Sequence, residues 1–89
     1  MRRLGKAIHL RGARRLVIKA SFAPRISDVV YDDRMRPVGR VYDVFGPVDS
    51  PYVSVLLSPE LGEREAEALV GRYFFVKSPF RRRAKGRRG

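Results

Sequence analysis

The amino-acid sequence predicts an all-β fold: a small closed six-stranded β-barrel with one short helix and a disordered basic C-terminal tail. Short apolar runs rich in Val, Ile, Tyr and Phe are broken every few positions by Gly, Pro or charge, the pattern of many short strands. A single segment, after Leu57, carries both start and stop signals of a helix. Finally, Val38, Val41 and Val44 are spaced by three, which a strict period of two cannot bury on one face. A bulge or strong bend near Arg40 to Asp43 is therefore expected, and a bent strand is how a sheet turns a barrel corner.

The elements follow in chain order. The segment from Leu4 to Leu10 carries apolar residues at Leu4, Ile8 and Leu10 and reads as a first strand, followed by a turn at Arg11-Gly-Ala-Arg14. The run from Arg15 to Ala20 is β-branched at its centre, and Pro24 ends it by lacking an amide donor. Asp28 to Tyr31 is a short third strand. The polar turn Asp32 to Arg36 then leads into Pro37, a residue tolerated at the first position of a strand.

Val38 to Phe45 and Tyr52 to Leu57 form the longest hairpin, with the Gly46-Pro47 corner and Pro51 between them. For the helix, Ser58 reads as the cap, Pro59 as the first residue, Glu60, Glu63 and Glu65 as acids at the positive end of the dipole, and Gly71 as the stop. Gly62 weakens it, so one or two turns from Glu63 to Val70 are expected. Arg72 to Val76 is the last strand. The barrel is assigned to residues 1–77 and the tail to 78–89, whose cations cannot bury themselves.

Composition excludes several functions. With 89 residues the chain is one domain, which by size buries roughly 60 to 65% of its surface. No cysteine and one histidine leave no thiolate or zinc site, so no metal and no cofactor are expected. His9 has no nucleophile or carboxylate partner suggested by the sequence and reads as a surface or interface residue. Asp32 and Asp33 read as turn caps. The net charge of +11 favours phosphate-rich surroundings. No apolar run is long enough for a membrane span, and no membrane partner is expected.

The eighteen residues from Val38 to Val55 are the most informative part of the chain. They hold no catalytic set and read as a shaped sheet surface with aromatic anchors, which suits docking better than chemistry. The run Val38-Gly-Arg-Val-Tyr-Asp-Val-Phe-Gly-Pro-Val-Asp-Ser-Pro-Tyr-Val-Ser-Val55 resembles the signature of the Gar family, the glycine/arginine-rich-domain subunit of H/ACA ribonucleoproteins. Arg3-Leu-Gly-Lys-Ala-Ile-His9 resembles the first strand of archaeal members, and Val70-Gly-Arg-Tyr-Phe-Phe-Val76 their last.

The resemblance implies a six-stranded, non-catalytic barrel that binds a TruB-like pseudouridine synthase in a box H/ACA RNA-guided complex. Its role there is in substrate loading and product release during rRNA modification and ribosome biogenesis. It also implies the other H/ACA core proteins as partners, with guide RNA and rRNA reached indirectly or through the basic tail. The location it implies is cytoplasmic for an archaeal member and nucleolar for a eukaryotic one. Eukaryotic members flank the core with Gly/Arg-rich repeats, which this chain lacks, so repeat-mediated RNA binding is not carried over.

The candidate partner-binding residues are Gly39, Val41, Val44, Phe45, Gly46, Pro47, Pro51 and Tyr52, with Phe45, Pro47 and Tyr52 as anchors. Within this set Val41 and Val44 also read as barrel core, and Phe45 is open between core and docking. Gly39 reads as a bend or close strand approach and Gly46 as a turn. Asp43 pairs either with Arg40 or with a partner's base. The candidate nucleic-acid-binding residues are Arg81, Arg82, Arg83, Lys85, Arg87 and Arg88, six cations that raise affinity for phosphate without a defined site. No aromatic stacking motif on adjacent strands is recognisable. The alternative is a free-standing basic RNA-binding barrel, ribosomal or cold-shock-like, motivated by the charge.

Overall fold

A computed structural model describes residues 1–12 and 14–77. The candidate RNA-binding residues Arg81, Arg82, Arg83, Lys85, Arg87 and Arg88 lie outside the described residues. Six strands and one helix run in the order β1 (Arg2–Arg11), β2 (Arg15–Ala20), β3 (Val29–Tyr31), β4 (Pro37–Phe45), β5 (Tyr52–Leu57), α1 (Glu63–Ala68) and β6 (Tyr73–Val76). They close into a barrel with neighbours β1-β2-β5-β4-β3-β6, and every ladder is antiparallel. Its thinnest seam joins β3 to β6, where Tyr31 opposite Phe75 is the one register pair.

The expected irregularity in β4 is present: the β4–β5 register shifts between Val41 and Asp43. Val41 and Val44 thereby both turn inward, Val41 into the core and Val44 half-buried against it, while Val38 reaches the core at a second shift, in the β3–β4 register between Val30 and Tyr31. Asp43 completes the bulge locally, its carboxylate accepting the Val44 amide at 2.9 Å. Arg40 donates instead to the Ser27 carbonyl at 3.1 Å, so the Asp43–Arg40 pairing does not form.

β1 carries the same device. Its register shifts between Arg3 and Gly5 against β6 and between Ala7 and His9 against β2, so Leu4, Ala7 and Leu10 turn inward. Ile8, grouped with Leu4 and Leu10 on the sequence, is 44% exposed because the shifts break the period of two.

The core joins inward residues of all six strands, with Phe74, Leu16 and Ile18 among the largest. Ala66 and Leu69 bring the helix onto one end of it. The helix differs from expectation at its start. Ser58 is not its cap: Ser58 to Leu61 make a separate turn, closed by the Leu61 amide on the Ser58 carbonyl at 3.1 Å. The N-cap is Gly62, whose amide donates to the Glu65 carboxylate at 2.9 Å. Leu61 explains the break, since it leaves the turn to pack against the core. Gly71, at φ +91°, ends the helical segment as expected, and its amide ties back to the Ala7 carbonyl.

Candidate functional site

Alternation in β2 places Leu16, Ile18 and Ala20 in the core and leaves Arg15, Val17 and Lys19 on the outer face. Register then builds rows across the ladders. Arg15 lies opposite Leu56, which lies opposite Arg40; Lys19 lies opposite Tyr52, which lies opposite Phe45. Rings and cations meet along these rows. Phe45 and Tyr52 stack with centroids 5.7 Å apart and planes 24° apart, and the Lys19 ammonium lies 4.2 Å from the Tyr52 centroid. The Arg15 guanidinium covers Tyr42 at 3.7 Å. Val17 is buried although it lies outside the core cluster.

The eight residues proposed for partner contact divide on this frame. Phe45 is 41% exposed and belongs to no core contact, which resolves its position in favour of the surface. Gly46 and Pro47 are exposed beside it, and Tyr52 is half-buried. Val41, by contrast, is buried in the core, Val44 packs on it, and Pro51 is buried, so these three support the hairpin from inside. Gly39 is also internal to the barrel's own packing: a Cβ there would collide with the Leu56 carbonyl. The bulge accounts for Val41 and Val44 and the close approach of β5 for Gly39, while the Pro51 carbonyl accepts the Ala20 amide at the end of β2 at 2.8 Å. Gly46, at φ +90°, faces the Tyr52 ring closely enough that a Cβ would lie 2.8 Å from its Cδ2.

The β3–β4 turn is organised by one buried acid. The Asp32 carboxylate accepts the amides of Arg34 and Arg36, each at 2.9 Å, and pairs with the Arg36 guanidinium at 3.2 Å. Burial acts against ionisation, but the two amides and the Arg36 side chain outweigh it and hold the carboxyl below its ordinary range. Asp32 is thus the turn cap expected of it. Asp33 pairs with Arg72 at 2.7 Å, tying this turn to the entry of β6.

A family model described as the Gar1/Naf1 RNA binding region matches residues 3–83. The chain belongs to the Gar1/Naf1 family. That family comprises non-catalytic accessory proteins of H/ACA ribonucleoproteins, and membership supports an RNA-binding role associated with such particles. An uncharacterized protein of Methanothermobacter thermautotrophicus (strain Delta H) is 26% identical over 76 residues, which cover 85% of this chain and 83% of the relative.

On this Gar1/Naf1 barrel the seating of cations on the aromatic rings, Arg15 on Tyr42 and Lys19 on Tyr52, is what sequence reasoning missed. Tyr42 and Phe45 of β4 and Tyr52 of β5 occupy adjacent strands on the outer face, Tyr42 under the Arg15 guanidinium and Phe45 stacked on Tyr52. The alternation of Arg15 and Lys19 with core residues was a signal for two of the cations. What brings them onto the rings is the β2–β5 register, which joins segments far apart in the chain.

Proposed function

We propose that this chain is a non-catalytic subunit of an H/ACA RNA-guided pseudouridylation complex, docking on the TruB-like synthase through the tip of the β4–β5 hairpin. The observation that carries the reading is the Phe45–Tyr52 stack, a preformed aromatic surface outside the core and beside the exposed Gly46-Pro47 corner. An aromatic pair already ordered in the free protein loses little side-chain freedom on binding. Family membership supplies the ribonucleoprotein context.

Docked there, the subunit acts by population shift. It favours whichever position of the synthase's thumb loop it binds better, promoting substrate loading and release of modified RNA. Its differential affinity sets the limit of that shift. By itself it turns over no substrate. The expected setting is cytoplasmic in an archaeal cell and nucleolar in a eukaryotic one, with the other H/ACA core proteins in the same particle.

The test is a titration of the chain, whole and lacking residues 78–89, against the synthase subunit and separately against guide RNA. Binding of the synthase by both forms supports the reading. Binding of RNA alone, with the synthase ignored, overturns it in favour of a free-standing RNA-binding barrel.

A further inference from the structure

A second surface lies away from the hairpin tip, on the outer face of β6, β1 and β2. Register places Tyr73 opposite Lys6 and Lys6 opposite Lys19. The Arg3 guanidinium covers the Tyr73 ring at 4.8 Å, and Tyr73 is 44% exposed. Between them runs a groove of about 520 Å³ lined by Arg3, Gly5, Lys6, Ile8, Lys19 and Tyr73. Its floor is flat at Gly5, where β1 lies so close to β2 that a Cβ would collide with the Lys19 carbonyl. Asp49 and Ser50 also line it.

Lys6 and Lys19 are directly opposite, and like charges in that position destabilise a sheet. Lys19 is anchored by the Ser50 carbonyl at 3.3 Å and by the Tyr52 ring, whereas Lys6 is exposed and has no acid beside it in the ladder. Two cations opposite each other across a ladder suit an anion laid over them.

We infer that this groove binds single-stranded RNA, with Arg3, Lys6 and Lys19 taking phosphates and Tyr73 stacking a base. The row Tyr73, Lys6, Lys19 crosses three strands, β6, β1 and β2, and spans about 10 Å at the spacing of neighbouring strands. That is a track rather than a point site. An exposed ring beside several cations fits a chain of alternating phosphates and flat bases. An acidic peptide would use the cations and leave the ring and the glycine floor without a purpose. The inference stands apart from the docking reading, since Lys6 and Tyr73 do not touch the hairpin tip.

The test uses full-length chain carrying Lys6→Thr or Tyr73→Leu, with Arg64→Ala on the helix as control for general charge. Binding of a fluorescent single-stranded oligouridylate is followed over a range of salt, and melting is recorded for each variant. Lys6→Thr should melt no lower than the parent and flatten the slope of log affinity against log salt by about 0.7. Tyr73→Leu should weaken binding roughly 5- to 100-fold with the slope kept. Arg64→Ala should differ from both in leaving the affinity near that of the parent. The inference is overturned if Lys6→Thr and Tyr73→Leu bind like the parent, or if an Asp/Glu-rich peptide displaces the oligonucleotide at lower concentration than unlabelled oligouridylate does. Synthase binding measured on the same variants should stay unchanged, which separates failure here from failure of the docking reading.

Discussion

Phe45 and Tyr52 face each other across the β4–β5 ladder as a register pair, and their rings stack at 5.7 Å on the outside of the barrel. The same strand sends Val41 inward. Two residues four positions apart therefore do opposite work, one as surface and one as core.

Phe45→Ala should leave the barrel folded, costing about 0.5–1.5 kcal/mol of stability for the lost ring pair. Synthase affinity should fall by more than tenfold, as for a central aromatic anchor. Val41→Ala should show the reverse balance, costing about 1.5–3 kcal/mol of stability. Thermal denaturation beside calorimetric titration distinguishes the two. Equal loss of stability in both variants would contradict the surface position of Phe45.

Gly39→Ala should be among the most damaging single changes in the sheet. The added methyl meets the Leu56 carbonyl, backbone that cannot move aside without opening the β4–β5 ladder. Overpacking of this kind costs roughly 1–3 kcal/mol or more. Gly5→Ala meets the Lys19 carbonyl in the same way and should behave alike. Denaturant midpoints of both variants against the parent provide the check.

Gly46→Ala should act on the anchor as well as on stability. Its φ of +90° disfavours a side chain, and the new Cβ would press on the Tyr52 ring. A loss of about 1–2 kcal/mol in stability is expected, together with weaker synthase binding. The near-ultraviolet circular dichroism of the tyrosines should change too. An unaltered aromatic signal would argue that the ring is free to move away.

Asp32 makes the fold acid-sensitive. Its folded carboxyl titrates below the ordinary value of 3.8, so the folded state favours the ionised form. The stability this contributes is present above the unfolded value and is lost as the pH falls through the folded one. Asp32→Asn should destabilise the barrel by roughly 1–3 kcal/mol near neutral pH. The gap between parent and variant should narrow below about pH 4. Melting curves between pH 7 and pH 2 test this, and a gap independent of pH would assign the effect to shape rather than charge.

By itself the sequence determined the strands whose signals are local. β2 and β5 fall where the apolar alternation ends against Pro, Gly and charge, and the spacing of Val38, Val41 and Val44 announced the bulge. Asp32 was legible as a turn cap because an Asp side chain reaches amides two and four residues on. The Val38–Val55 run was sufficient for the family resemblance.

Tertiary structure decided what depends on residues far apart in the chain. Which side of β4 Phe45 takes follows from where the bulge resets the register, and Ile8 is exposed for the same reason in β1. Gly39 and Gly5 owe their roles to the backbones of β5 and β2, which lie against them only in the closed barrel. Packing of Leu61 against the core and the Gly62 amide on Glu65 moved the helix start past Ser58. The cation and aromatic rows exist only because antiparallel register aligns β6, β1, β2, β5 and β4, and register is set by the packing of the whole barrel.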